Sequence, residues 1–266
     1  MISADTSTRR VWTRSQTLLA PALALIALGI VWELAARYTD VPDFLLPAPS
    51  ELIEFTRDNL GLMWDHSRAT ILASVLGFLI AVIFSIFLSI LMVWSRAFEA
   101  TVYPLVVMTQ VIPKVAVAPL LIVYLGFGLS PKVFLAFLVA FFPLVVNTTL
   151  GLKSVRPELL HLLHSLKATR LQVLAKVRFQ TALPYIVEGA KIAIAFAVIG
   201  AIVGEFISGN QGLGYLVNAS TVSLNTRQGF SALLVLTIVG VCLFEAVNLV
   251  GNWILPWYRR GGAVGS

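Results

Sequence analysis

Charged residues are scarce in this chain of 266: Asp, Glu, Lys and Arg together make up 12%, while 58% is hydrophobic and the mean hydropathy is +0.90. Soluble domains carry about twice that share of charge. The deficit excludes a soluble enzyme, a nucleic-acid-binding domain and a disordered scaffold. Cysteine is nearly absent. Cys242 stands alone, which rules out an intrachain disulfide framework, and it reads as a small core residue. No G-x-x-x-x-G-K-[ST] stretch occurs, so the chain has no phosphate-cradling loop of its own. H-E-x-x-H, G-x-S-x-G and paired Cys/His ligand spacings are missing too. His161 and His164 lie three apart with no third ligand near in sequence, so no metal site is expected.

What remains is long apolar runs. About 20 apolar residues cross a bilayer as a helix. Six stretches qualify, at 18–36, 70–94, 102–125, 133–152, 186–207 and 230–258. These predict an all-α integral membrane protein formed as one transmembrane domain over 1–266. The first run follows Arg9, Arg10 and Arg14 like a signal peptide, but it continues past Gly29 to Trp32 without a convincing cleavage site, so a retained helix is expected. Placing both termini in the cytoplasm puts twelve Lys and Arg inside: Arg9, Arg10, Arg14, Arg96, Lys153, Arg156, Lys167, Arg170, Lys176, Arg178, Arg259 and Arg260. Five fall outside (Arg37, Arg57, Arg68, Lys132, Arg227), the asymmetry that orients inner-membrane bundles. The net charge of +6 follows from this topology rather than from a nucleic-acid partner.

The outer loop 37–69 opens with the turn-rich Val41-Pro42-Asp43. Ser50 then reads as the N-cap of a helix over 51–60. His66 reads as a loop residue, and 208–229 as a Gly-, Asn- and Ser-rich loop. The one large cytoplasmic loop, 153–185, begins with Pro157 at a helix start. Leu159, Leu162, Leu163 and Leu166 follow on one face, with Glu158, His161 and Ser165 opposite. A break near Lys167-Ala168-Thr169 precedes a second helix that should end at Pro184. The apolar face of the first helix requires a cover: the inner ends of the bundle, lipid headgroups or a cytoplasmic protein.

Within the spans, ionisable groups mark function by default. Lys114 lies between Pro113 and Pro119 in a stretch that also holds Pro104, which predicts a broken helix. A cation there would attract an anionic solute, or pair with Glu99, Glu188 or Glu205. Gln110 shares its face at i, i+4, and Asn147 is the polar residue of the next span. Gln110, Lys114, Asn147 and Glu205 are therefore the candidate solute-path residues. For Glu205, a bond holding the following Gly-rich turn competes with that role. Glu188 and Lys191 should pair at i, i+3, and Glu33 and Glu245 should be structural. Gly77 with Ser85, and Gly200 with Gly204, permit close helix approach within or between subunits.

Several stretches resemble the permease subunit of bacterial binding-protein-dependent ABC importers, in particular the nitrate/sulfonate/taurine type that also includes pyrimidine-precursor and riboflavin permeases. They are Leu46-Pro47-Ala48-Pro49-Ser50, TQVIPKVAVAPLLIVYLGFG at 109–128, FLAFLVAFFPLVVNTTLG at 134–151, and Glu205 with Gly212-Leu213-Gly214-Tyr215. The likeness runs from about Phe44 to Pro256. In that family the cytoplasmic loop carries E-A-A-x-x-x-G; here His161, Leu162 and Leu163 stand for E-A-A and Lys167 for the Gly, with Ala168, Val177, Phe179 and Pro184 fitting. Lys at the Gly position predicts a looser turn, since a positive φ costs about 1–2 kcal/mol with a Cβ. The resemblance implies the type I importer fold and a coupling helix (Glu158, His161, Leu162, Leu163, Ser165, Lys167, Ala168) that docks on a cytoplasmic ATPase. It implies ATP and Mg on that partner and no cofactor on this chain, which is then not an enzyme. It further implies an extracytoplasmic solute-binding protein, a second permease copy as homodimer, and the bacterial inner membrane as location. The alternative is a gradient-driven secondary transporter, which should show internal repeats and deep acids. A third class, an intramembrane enzyme, lacks a nucleophile–base set.

Overall fold

The computed structural model describes residues 14–38 and 46–256. The expectations for Arg9, Arg10, Val41-Pro42-Asp43, Arg259 and Arg260 lie outside them. Among the described residues every regular element is helical: α1 (Arg14–Tyr38), α2 (Pro49–Asp58), α3 (Leu60–Trp94), α4 (Arg96–Met108), α5 (Lys114–Leu125), α6 (Leu129–Lys153), α7 (Pro157–Ser165), α8 (Arg170–Val173), a π turn (Leu174–Arg178), α9 (Phe179–Ser208), α10 (Leu213–Val222) and α11 (Thr226–Ile254). Against the six stretches expected, four helices among the described residues are long and apolar enough to cross a membrane: α3, α6, the continuous run Arg170–Ser208, and α11.

The third predicted span is broken, as its prolines require. α4 ends at Met108, a turn covers 109–113, and Pro113 caps α5, whose first residue is Lys114. Pro104 and Pro119 sit inside their helices. Pro184, expected to end a helix, does not. It removes one backbone donor, but Ala182 and Ile186 on either side are buried in a cluster with Leu152, and this packing carries the helix through.

Three loop expectations also change. α3 starts at Leu60, so His66 is helical rather than in a loop, and the 208–229 loop contains α10. α2 starts at Pro49, where the missing N–H costs nothing, so Ala48 and not Ser50 is its N-cap. The Ser50 N–H and hydroxyl instead donate to the Glu33 carboxylate of α1 at 3.0 and 2.8 Å, and Arg37 Nε binds the same carboxylate at 2.6 Å. An acid from a neighbouring helix thus satisfies the α2 N-terminus.

The core is built from small residues. Ala73 and Ala81 of α3, Ala136 and Ala140 of α6, and Ala193, Ala197 and Ala201 of α9 are fully buried together. The α6–α9 pair has the most extensive contact in the molecule, followed by α3–α6. Gly200 and Gly204 make this approach possible: a Cβ on Gly200 would lie 2.7 Å from Ala136 Cα, and one on Gly204 2.7 Å from Lys132 Cα. Gly77 of α3 faces Val133–Phe137 of α6 in the same way. The small-residue pairs therefore serve packing within one subunit. Cys242, expected in the core, is exposed on α11.

Because the atoms facing Gly200 are backbone, no rotamer change can make room for a side chain. Gly200→Val should destabilise the chain by about 3 kcal/mol or more, at the upper end of overpacking costs. A fall in the melting temperature and monodisperse fraction of the detergent-purified protein reads this directly; wild-type values would mean that α6 and α9 are not in this contact.

Candidate functional site

At one end of the bundle lies the loop joining α6 to α9. α7 buries none of its residues against the rest of the chain. Leu159, Leu162 and Leu166 are exposed, Leu162 at 55%, and Leu163 is half-buried. Glu158, His161 and Ser165 are exposed on the same short helix. The apolar face seen in the sequence is therefore present and uncovered.

The turn after α7 departs from expectation. Lys167 adopts φ +56°, and the turn is tight rather than loose. The Lys167 N–H donates to His164 O at 2.9 Å and the Ala168 N–H to Leu163 O at 3.0 Å. These are the two bonds of a Schellman motif with Lys167 in the position usually held by glycine. They satisfy helix-end carbonyls that would otherwise lack partners, which offsets the left-handed cost. Thr169 and Gln172 then form a capping box that starts α8, with Thr169 N–H to Gln172 Oε1 at 2.8 Å and Gln172 N–H to Thr169 Oγ1 at 3.3 Å. Two helix ends are finished within five residues, so the angle between α7 and α8 is fixed locally. Arg178 anchors the following π turn by donating to Leu152 O of α6 at 3.0 Å.

The four candidate path residues do not converge. Gln110 is exposed in the turn between α4 and α5, and Lys114 is half-buried at the start of α5. The proposed partners of Lys114 are engaged elsewhere: Glu99 with Lys153, Glu188 with Lys191 at 2.8 Å, and Glu205 as described below. Lys114 makes no ion pair or side-chain hydrogen bond among the described residues. Asn147, half-buried on α6, donates to Pro143 O at 2.8 Å and packs against Gly189 of α9.

Glu205 lies at the opposite end of the bundle from α7 and is fully buried. Its Oε1 accepts from Thr70 Oγ1 and its Oε2 from the Gly214 N–H, both at 2.8 Å. Thr70 Oγ1 in turn accepts from the Leu213 N–H at 2.9 Å. The Gly212 N–H reaches His66 Nδ1 at 3.0 Å, and the His66 ring stacks on Tyr215 with centroids 5.8 Å apart. Gly212 has φ +119°, and a Cβ there would overlap the Glu205 carboxylate, so only glycine fits. Lys132, counted from the sequence as an outer-loop charge, is instead 3% exposed in the first turn of α6, and its Nζ donates to Gln211 O at 2.6 Å. The turn 209–214 is thus held by α3, α6 and α9 at once. Sequence reasoning passed over His66, Thr70 and Lys132; the i, i+4 spacing of His66 and Thr70 on a longer α3 was the available signal.

Residues 59–261 match the family described as binding-protein-dependent transport system inner membrane component. The formylaminopyrimidine transport permease protein ThiX of Halalkalibacterium halodurans is 34% identical over 248 residues, 93% of this chain and 99% of that protein. The riboflavin transport system permease protein RibX of Chloroflexus aurantiacus is 33% identical over 237 residues, 88% of each. Among solved structures, an inward-facing form of the MetNI methionine ABC transporter aligns with TM-score 0.56 at 19% identity, over 78% of this chain and 98% of that one, a likeness of fold. With an uncovered helix at one end, a three-helix polar clasp at the other and these matches across most of its length, the chain belongs to the inner-membrane components of binding-protein-dependent transport systems.

Proposed function

We propose that the chain is one of two identical permease subunits of an ABC importer for a small nitrogen heteroaromatic solute, driven through α7 by a cytoplasmic ATPase. Family membership supplies the coarser part: a multi-pass inner-membrane permease subunit, with ATP hydrolysis left to a partner. The observation that carries the rest is the uncovered leucine face of α7 held at a fixed angle by the Lys167 turn. An apolar helix face of this kind, presented with no intrachain cover, suits insertion into a groove of another protein. On this reading α7 is cytoplasmic, the α10 turn faces the binding protein, and α1 and the α4–α5 pair add two crossings to the four long helices. α5, at 12 residues, is too short to span alone and needs α4 in series.

The second copy is supported by the α4–α5 region. Val111, Tyr124 and Phe127 are each more than 80% exposed there, a surface suited to lipid or to a twin subunit. The solute class rests on the relatives named for a formylaminopyrimidine and for riboflavin, both ring systems bearing carbonyl acceptors. Gln110 and Lys114 at the helix break offer donors to such acceptors, and no acid among the described residues occupies Lys114. Asn147, which donates to Pro143 O and packs against Gly189, lies apart from them and holds α6 against α9. Glu205, with both oxygens accepting bonds, is a positioning residue for the outer turn instead.

Tagged wild-type chain, extracted from its native membranes in mild detergent, should co-purify with a nucleotide-binding ATPase. Leu162→Asp with Leu163→Asp should abolish that association while the protein remains in the membrane; an unchanged yield of ATPase would remove α7 from the docking role. In vesicles reconstituted with ATPase and binding protein, Lys114→Ala should lower pyrimidine uptake about tenfold or more, the worth of one charged hydrogen bond, with ATPase association intact. Normal uptake would return Lys114 to a structural role. Glu205→Ala leaves the Gly214 N–H without its acceptor and the Thr70 hydroxyl with only its longer bond to His66 O at 3.3 Å, and should cost about 2–3 kcal/mol. Glu205→Gln should cost less because one oxygen remains. Thermal unfolding of both variants in detergent checks the order, and equal stability of the alanine variant would contradict the clasp.

A further inference from the structure

Beneath α7 and α8 lies a cavity of about 490 Å³ that the transport reading does not use. Its walls join the end of α3 and the start of α4 to the α7–α8 loop and the π turn. Four cationic or titratable groups line it: Arg96, His164, Arg170 and Arg178, over an apolar floor that includes Val93 and Trp94. Among the described residues no acid lines it. The described ion pairs, Arg37–Glu33, Lys153–Glu99, Lys191–Glu188 and Arg227–Glu51, involve none of its arginines. Arg178 uses one donor on Leu152 O, and a guanidinium carries five. Three arginines thus converge on a space within the size range of small-molecule sites, without a counter-charge from the described residues.

We propose that this cavity binds a phosphate group, and that the source is the headgroup of an anionic phospholipid in the leaflet at the α7 end. The choice of leaflet rests on the orientation proposed above. Trp94 and Val93 end the apolar run of α3, so the floor lies at the boundary between hydrocarbon and headgroup, where tryptophan concentrates. Arginine matches phosphate oxygens with paired donors, and basic pockets between helices at that depth select anionic lipids. A headgroup there would join Arg96 of α4 to Arg170 and Arg178 beside the loop, and so hold the α7 support against the bundle.

The test uses the full chain, delipidated in neutral detergent and titrated with phosphatidylglycerol or phosphatidylcholine under native mass spectrometry. Phosphatidylglycerol should bind at least tenfold more tightly than phosphatidylcholine. Arg96→Gln and Arg170→Gln should each weaken it about fivefold, and the pair more than tenfold. Arg96→Lys with Arg170→Lys, which keeps the charge, should restore most of the binding and controls for folding. Equal binding of the two lipids, or unchanged binding in the double Gln variant, would overturn the proposal. Displacement of the lipid by millimolar inorganic phosphate would overturn the lipid as source and assign the site to a soluble phosphate. If the double Gln variant keeps its lipid but loses the ATPase, the arginines belong to protein docking and the proposal falls. Lipid binding is read without ATPase or transport, so its failure is distinguishable from failure of the importer reading.

Discussion

The close approach of α6 and α9 is the contact on which the other elements depend. In a bilayer, burying apolar side chains between helices gains little, because lipid tails are equally apolar. Association then rests on van der Waals contact, and that grows as backbones come closer. Gly200 and Gly204, with Ala136, Ala140, Ala193 and Ala197, bring the two helices together along much of their length. α3 joins through Gly77 by the same means. Bulkier residues such as Phe84 and Phe87 are turned outward.

This three-helix unit has a clasp at each end. At one, Thr70 and His66 of α3, Lys132 of α6 and Glu205 of α9 hold the turn before α10. At the other, Arg178 binds the α6 carbonyl of Leu152, and Leu152, Ala182 and Ile186 are buried together. The first clasp is polar, with the buried groups of the turn paired to helix side chains, so it resists sliding. The second contains a π turn, where the Phe179 N–H reaches back to Leu174 O rather than one residue less. Such turns interrupt helical regularity and are often found at functional positions. On the importer reading, a push on α7 enters a stiff α7–α8 corner, meets the irregular π turn, and continues into α9 as the motion of a packed unit. Small displacements are carried this way because packed cores move as bodies.

Much of this was legible from residues. The helical class, four of the six expected spans, the helix break at Pro113, the Glu188–Lys191 pair and the leucine face of α7 follow from hydropathy, proline chemistry and helical spacing. Most of the departures depend on a partner distant in sequence. Ser50 is a good N-cap by type, but Glu33 from α1 binds it and leaves the start of α2 to Pro49. Pro184 is a helix breaker by type, but the packing of Ala182 and Ile186 outweighs one lost hydrogen bond. Cys242 is small and apolar, yet α11 turns it outward. Lys132 looked like a loop charge because Gly204, which gives its stem room to cross, lies 72 positions away (204 less 132).

Lys167 is the informative exception, because there the local rule itself was incomplete. The expectation of a loose turn weighed only the cost of a positive φ for a residue with a Cβ, about 1–2 kcal/mol. It left out the carbonyls of Leu163 and His164, which face the end of α7 and would otherwise go without protein donors. Two backbone bonds at 3.0 and 2.9 Å supply those partners, and a net worth near 1 kcal/mol apiece matches the strain. The turn is therefore set by the needs of the helix end and of the capping box two residues later, more than by the residue at its apex. Glycine would relieve the strain without changing the path of the chain. The same path, and hence the same presentation of the leucine face, is open to sequences that differ at this position.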